Sequence, residues 1–185
     1  MRAEDIRLNC GSRPHLLVTG KPRTGKTTLV KSFVSRWPGR CGGFFTEEMT
    51  DERGRRLGFR LRSLDGRWGV LASINFFSHH HVGRYGVDIE TLDSIGVEAI
   101  YEAIRTKEIV VIDEVGRMEL FSIKFQEAVM AVLASPRRLL GVLHRGRLPF
   151  LEEIRRRPDV LILEVDGQNN QAVAQRIISL LENKT

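Results

Sequence analysis

The chain has 185 residues, of which 42% are hydrophobic and 28% are charged. This composition is ordinary for a globular protein, and the length suffices for a single domain with a sizeable core. The two cysteines, Cys10 and Cys41, have no metal-ligand spacing. Two such cysteines argue against a disulfide framework and favour a cytoplasmic protein. The charged N-terminus lacks the apolar core of a signal peptide, and the apolar runs are too short to cross a bilayer, so we expect no membrane contact.

The formal net charge of +6 comes from an arginine-rich surface. A basic chain can bind nucleic acid, but it can equally bind an anionic nucleotide. The arginines are spread along the sequence, and the densest group is Arg53, Arg55 and Arg56 with Arg60 and Arg62. A solvated surface and a nucleic-acid site both remain open for this group.

The N-terminal third predicts a strand, a phosphate-binding loop and a helix. Residues 1–14 are polar and predict a mobile arm or a short edge strand. His15–Thr19 is typical of a buried strand, and Thr27–Trp37 predicts a helix that stops at the Pro-Gly pair following it. The segment between them fits G-x-x-x-x-G-K-[ST] at every fixed position.

This motif is the strongest functional signal in the chain. Backbone N–H groups of such a loop surround a polyphosphate, and the following helix adds its positive N-terminal end. Lys26 would reach the β- and γ-phosphates, and the Thr27 hydroxyl would bind Mg²⁺. The predicted phosphate-binding residues are Gly20, Lys21, Pro22, Arg23, Thr24, Gly25, Lys26, Thr27 and Thr28.

The middle of the chain predicts an antiparallel β insertion over residues 42–72. It comprises strands at 42–49, 57–64 and 67–72, with Asp65-Gly66 as a hairpin signal. Residues 74–86 are aromatic and interrupted by glycine, which favours a loop. The adjacent His79, His80 and His81 suggest a metal site, but no cysteine or carboxylate spacing supports one.

The remainder alternates helices with short apolar strands, which is typical of a mostly parallel sheet covered on both faces. We therefore predict a single α/β domain over residues 1–185. The expected helices are 92–106, 122–133, 151–156 and 171–181, and the expected strands are 108–113, 139–143 and 160–165.

The strand at 108–113 ends in two acids. An acid at the carboxyl end of a central strand faces the ligand crevice of α/β proteins, so we expect Asp113 to hold Mg²⁺. Glu114 would orient and polarise an attacking water. This interpretation requires the strand Leu139–Leu143 to lie between the phosphate-loop strand and the Asp113 strand. His144 would then lie close to the γ-phosphate as a sensor.

Several segments in this order resemble the THEP-type nucleoside-triphosphatases, which include the cancer-related nucleoside-triphosphatase of vertebrates. The resemblance covers about residues 16–181. It is carried by Gly20–Leu29, Gly43–Glu48, Gly54–Phe59, Val82–Asp88 and, above all, Asp113–Glu119. It implies a RecA-like P-loop fold and slow, Mg²⁺-dependent hydrolysis of ATP, GTP, CTP and UTP by a monomer.

The resemblance also extends the predicted site. We assign Glu114, Lys26 and Arg56 as catalytic, with Arg56 either stabilising the transferring phosphoryl group or facing solvent. Glu119 would pair with Arg117 or face water. The predicted nucleotide-binding residues then include Val110, Val111, Ile112, Asp113, Glu114, Val115, Gly116 and Arg117.

Two departures from the family pattern concern the nucleotide. Arg23 stands where the family usually has glycine, so a large cation lies beside the phosphates. Asn170 stands where the family favours arginine, so any role of that arginine in nucleotide binding is lost or replaced here.

Two other functions remain open. A small-molecule or polynucleotide kinase would use the β insertion and the histidine-rich loop to bind an acceptor hydroxyl, although it would not require Glu114. A nucleotide-gated RNA- or DNA-binding module would use slow hydrolysis as a timer and the basic β insertion as its contact. Phosphate release without an acceptor, with and without nucleic acid, distinguishes these functions.

Overall fold

The computed structural model describes residues 14–37 and 39–182. The predicted arm at 1–14 therefore lies, except for Pro14, outside the described residues. The architecture is a sheet flanked by helices on both faces, as the sequence predicted.

Nine strands form one sheet in the order β5-β6-β4-β3-β2-β7-β8-β1-β9. Their bounds are β1 His15–Thr19, β2 Cys41–Thr50, β3 Arg56–Ser63, β4 Trp68–Ser73, β5 His81–Val82, β6 Tyr85–Val87, β7 Ile109–Val115, β8 Arg138–Leu143 and β9 Val160–Glu164. Strands β2, β7, β8, β1 and β9 pair in parallel, and β3 to β6 extend the sheet in antiparallel fashion.

The helices cover the two faces unequally. Their bounds are α1 Lys26–Arg36, α2 Ile89–Thr91, a π-helical segment Leu92–Val97, α3 Glu98–Thr106, a 3₁₀ turn Glu119–Phe121, α4 Ile123–Ala134, α5 Pro149–Arg156 and α6 Asn170–Glu182. The first core packs the π segment, α3, α4 and α5 against one face. The second core packs α1 and α6 against the other.

Strand β7 shows why these strands are apolar throughout. Val110 and Ile112 belong to the first core, whereas Ile109 and Val111 belong to the second. Successive side chains of a strand point to opposite faces, so a strand covered on both sides buries every residue. The acids that follow are thereby fixed at the end of a rigid element.

The strand order confirms the central topological prediction. Strand β8 lies between β1, which leads into the phosphate loop, and β7, which ends in the acid pair. The carboxyl ends of these parallel strands meet at one edge of the sheet, which is where α/β proteins bind ligands.

The middle of the chain differs from the prediction. Residues 41–45 of β2 pair in parallel with β7, and residues 44–50 pair in antiparallel fashion with β3, so the two pairings overlap at Phe44 and Phe45. The antiparallel extension therefore begins within β2, not at residue 42. The predicted loop at 74–86 contains β5 and the start of β6, a short hairpin that pairs with β4 at the sheet edge. The predicted helix at 92–106 starts earlier, at Ile89, where Asp88 caps it.

Among the described residues, no helix combines the length and apolar character that crossing a bilayer requires.

Candidate active site

The phosphate loop connects β1 to α1 and is held from the far side by the β9–α6 segment. Gly20 has φ 151°, and a Cβ there would overlap the carbonyl oxygen of Val165. Gly25 has φ 88° and directly precedes α1. A Cβ on Gly25 would lie 2.7 Å from Nδ2 of Asn170. Both glycines are therefore required by backbone conformation and by close neighbours.

The Lys26 ammonium lies inside this loop. Its Nζ donates to the carbonyl oxygens of Gly20 at 3.1 Å and of Lys21 at 2.6 Å. Burial lowers its pKa, while the nearby carboxylates of Glu114 and Asp113 act in the opposite direction. The lysine is therefore close to both acids, and an incoming phosphate would compete with the two carbonyls for it.

Asp113 provides a cation site at the end of β7. Its side chain is 3% exposed, and its Oδ2 is buried without a hydrogen-bond partner among the described residues. Burial raises its pKa to about 7, with Glu114 adding to the rise, although the Thr27 hydroxyl hydrogen-bonds the carboxylate. An unpartnered carboxylate oxygen beside a hydroxyl fits a hard cation such as Mg²⁺, which binds through few protein oxygens plus substrate phosphates. The pair predicted to bind the metal is therefore adjacent.

These groups line one cleft of about 800 Å³. Of the predicted residues, those that line it are Gly20, Pro22, Arg23, Gly25, Lys26, Thr27, Thr28, Asp113, Glu114 and Arg117. The same cleft continues past the acids to residues that the sequence did not single out as binding: Lys31, Thr46, Glu47, Glu48, Phe59, Val82, Met118, Glu119 and Arg145.

Other predicted nucleotide-binding residues do not line the cleft. Val110, Val111, Ile112 and Val115 are 0% exposed, because their side chains fill the two cores. Their contribution is to position the acid pair. Lys21 and Thr24 belong to the loop but point elsewhere, and Gly116 is buried behind Glu114.

Arg56, predicted to be catalytic, is also absent from the cleft lining. Its guanidinium forms an ion pair with Glu48 and lies 5.3 Å from the centre of the Phe59 ring. Glu48 and Phe59 do line the cleft. Arg56 therefore lies at the rim, where an acidic side chain already neutralises it.

Glu114 is half-buried and has a partner just after β8, the strand that lies between β1 and β7. Nδ1 of His144 lies 3.3 Å from Oε1 of Glu114. His144 directly follows β8, and its carbonyl oxygen accepts a hydrogen bond from Arg155 at 2.5 Å. His144 therefore contacts Glu114 and lines the cleft, and its backbone is anchored from α5. Its place beside the γ-phosphate stays a prediction.

Glu119 is a buried acid whose environment the sequence left open. It is 3% exposed, and burial raises its pKa to about 8, with Glu114 adding to the rise. Among the described residues no ion pair joins it to Arg117, which is exposed. A Cβ on Gly116 would collide with Oε1 of Glu114 and lie 3.0 Å from Oε2 of Glu119, so the two carboxyls approach the same point. In the sequence, only the acids Asp113, Glu114 and Glu119 within one short segment indicate that these carboxyls come together.

Asn170 occupies the position where an arginine was expected. Its Nδ2 donates to the carbonyl oxygen of Thr24 at 2.9 Å, so it ties the N-terminus of α6 to the phosphate loop. Arg23, the other departure, has φ 64°. That left-handed conformation costs a non-glycine residue about 1–2 kcal/mol.

The histidine run does not form a metal site. The described part of the chain holds no group of three His, Cys, Asp or Glu side chains arranged around a metal ion. His80 instead packs against Phe121 in a tilted arrangement, with ring centres 4.9 Å apart.

Comparisons with known proteins agree with this geometry. A family model described as NTPase matches residues 15–178. Nucleoside-triphosphatase THEP1 of Thermotoga sp. (strain RQ2) is 40% identical over 167 residues, covering 90% of this chain and 95% of that protein. The crystal structure of THEP1 from the hyperthermophile Aquifex aeolicus superposes with a TM-score of 0.84 at 34% identity, covering 91% of this chain and 99% of that one. The solution structure of a human cancer-related nucleoside triphosphatase gives a TM-score of 0.78 at 30% identity, covering 93% and 99%.

The phosphate loop, the acid pair and the strand between them thus occur in a chain that matches the family model over most of its length. The chain therefore belongs to the NTPase family, as its phosphate-loop and Asp113–Glu119 segments predicted.

Proposed function

We propose that this chain hydrolyses nucleoside triphosphates to diphosphates and phosphate in the cleft at the ends of β1, β7 and β8. The observation that carries the proposal is the convergence of the Lys26 ammonium with the carboxylates of Asp113 and Glu114. Family membership supports it, because the THEP1 relatives are named nucleoside-triphosphatases.

Binding begins at the phosphate loop. Its backbone N–H groups and the N-terminus of α1 attract the phosphates, and Lys26 moves from the carbonyls of Gly20 and Lys21 to the β- and γ-phosphates. Thr27 and Asp113 would hold Mg²⁺. The ion, when bound, neutralises charge on the β- and γ-phosphate oxygens.

Glu114 is the proposed base. It adjoins the metal-binding acid and orients a water for attack on the γ-phosphorus, accepting its proton. His144 contacts Glu114 from the end of β8 and would fix the carboxylate in the direction of that water. Arg56 would contribute to the transition state only after leaving Glu48, so we assign it a smaller effect than Lys26 or Glu114.

Broad base tolerance is part of the proposal, because the resemblance to the THEP-type nucleoside-triphosphatases implies it. We therefore propose ATP, GTP, CTP and UTP as substrates, acted on by a monomer in a reducing cytoplasm. The buried free thiol of Cys41 is compatible with that location.

A second function is favoured by one observation. The cleft continues past the acid pair to Thr46, Glu48, Phe59, Val82 and Met118, which leaves room for a phosphoryl acceptor. A kinase would transfer phosphate to that acceptor in place of water.

Phosphate release from the four nucleotides, with Mg²⁺ or with EDTA and without any acceptor, tests the proposal. We expect release from all four, dependent on the metal and absent in Lys26→Ala. Release that requires an added hydroxyl acceptor would favour the kinase. A strong preference for one base would contradict the broad tolerance.

A further inference from the structure

One face of the antiparallel extension carries arginines and an exposed tryptophan. In the β2–β3–β4 register, Arg62 pairs with Phe45 and Trp68, and Arg60 pairs with Glu47 and Val70. Residues directly opposite each other in antiparallel strands point to the same side of a sheet. Arg60, Arg62 and Trp68 therefore share one surface, which we name the arginine–tryptophan face.

No helix covers this face in the described part of the chain. Phe45 of β2 belongs to the second core beneath α1, but that core contains no residue of β3 or β4 among the described residues. Trp68 is consequently 60% exposed. Its ring is therefore accessible to a ligand.

The two arginines are free to bind an anion. Neither Arg60 nor Arg62 has an ion-pair partner within 14–37 or 39–182. The Arg60 guanidinium lies 5.1 Å from the Trp68 ring, and its Nε is buried without a hydrogen-bond partner. Such a pair presents a cation and an aromatic ring at the same place.

The face is continuous with the nucleotide cleft. Lys31 forms an ion pair of 2.6 Å with Glu47, and both line the cleft. The positive charges of Arg62 and Arg60 help Lys31 to lower the pKa of Glu47, so three cations surround one carboxylate. The surface between the cleft and Trp68 therefore keeps an excess of positive charge.

We propose that the arginine–tryptophan face binds a single-stranded nucleic acid, with phosphates on Arg60 and Arg62 and an unstacked base on Trp68. Single strands are bound by this combination, since every base has a π-face and every nucleotide a phosphate. A duplex hides its base faces, and poly-glutamate carries negative charge but has no ring to stack on Trp68.

Fluorescence anisotropy of labelled 15-nucleotide oligo-dT and oligo-U, titrated with the full chain at 50–200 mM KCl, tests the proposal. We expect both strands to bind, because the face has no evident means of distinguishing the sugars. Trp68→Ala should bind about tenfold more weakly, which is the change expected when one base loses its stacking partner. Trp68→Phe keeps a ring and should retain most of the affinity. The Arg60→Gln/Arg62→Gln double variant should reduce the slope of log affinity against log salt by about 1.4.

A charge-matched control lies on the opposite side of the sheet. Arg105→Gln/Arg156→Gln removes two exposed cations from α3 and α5 and should leave oligonucleotide binding unchanged. Phosphate release without nucleic acid should be the same in wild type and in all these variants, which shows that they fold.

Several results would overturn the proposal. They are no binding by the wild type, equal weakening by the control pair, equal affinity for a 15-base-pair duplex, and equally effective competition by poly-glutamate of the same length. A wild-type dimer that Trp68→Ala converts to a monomer would also overturn it, since Trp68 would then bind a second copy of the chain.

Discussion

The parallel and antiparallel parts of the sheet border the same cleft but present their side chains in different ways. In the parallel part, Asp113 and Glu114 lie near the carboxyl end of the buried strand β7. Lys26 begins α1 after the phosphate loop, and backbone carbonyls of that loop hold its ammonium. In the antiparallel part, Arg60, Arg62 and Trp68 project from the open face of strands that lack a helix on that side. Rigid strand ends suit phosphate chemistry, which requires precise positioning. An open face suits a larger ligand.

The largest effect on activity is expected from a substitution of Lys26 in the parallel part. Lys26→Ala removes the cation beside the β- and γ-phosphates, so we expect kcat/KM to fall by about 100-fold or more. Lys21→Ala is the matched control, because its side chain does not line the cleft and only its carbonyl contacts Lys26. Phosphate release and nucleotide binding by calorimetry check both variants. Equal losses in the two would mean that general positive charge, not the position of Lys26, binds the phosphates.

Arg56 tests whether the antiparallel part takes part in the chemistry. Arg56→Gln should lower kcat by less than about tenfold, because Glu48 holds the guanidinium at the rim. Loss of an arginine that contacts the transferring phosphoryl group would cost about 10³-fold or more. If steady-state kinetics showed such a loss, Arg56 would contact the transferring phosphoryl group. The antiparallel part would then contribute to the chemistry as the parallel part does.

Glu119 makes the stability of the parallel part depend on pH. Burial raises its pKa from the ordinary 4.5 to about 8. Between these values the folded protein keeps a proton that the unfolded chain has lost, so this group makes stability fall as the pH rises from about 4.5 to about 8. Glu119→Gln removes that loss. The gain in Tm over wild type should be about 8–16 °C greater at pH 9 than at pH 5, because about three pH units of displaced titration amount to about 4 kcal/mol.

The matched control for this titration is Glu127→Gln on the exposed side of α4. Its Tm relative to wild type should not depend on pH over the same range. A pH-independent effect of Glu119→Gln, measured by thermal denaturation, would show that the Glu119 carboxyl is not buried against Glu114.

The smallest expected effect concerns Arg23. Arg23→Gly relieves a left-handed backbone at φ 64°, although glycine loses more conformational entropy on folding. We expect Tm to rise by about 2 °C or less. Arg53→Gly, in the β2–β3 turn at an ordinary φ, should lower Tm instead. Equal changes in the two would mean that the phosphate loop is not strained at Arg23.

The parallel part could be predicted from the sequence because its signals are local. The phosphate loop is a contiguous motif between a strand and a helix, and Asp113 ends an apolar run. The position of β8 between β1 and β7 followed from interpreting Glu114 as a base that acts on water. By contrast, Val110, Val111 and Ile112 were predicted to bind nucleotide, but a strand covered on both faces buries them.

The features that were not predicted depend on contacts between distant segments. The change of partner along β2 requires knowing that β7 lies beside its first half. The short strands β5 and β6 exist only because β4 offers an edge for pairing. Glu119 is buried because the chain turns back on itself after β7, and no residue-type pattern reports that turn.

Single-turnover hydrolysis by Glu114→Ala, measured beside nucleotide binding by the same variant, most directly tests the claim that the acid pair and Lys26 act on one terminal phosphate. We expect affinity close to that of the wild type and a rate of phosphate release reduced by about 10²- to 10⁴-fold, the contribution of a general base. A release rate close to that of the wild type would contradict the mechanism.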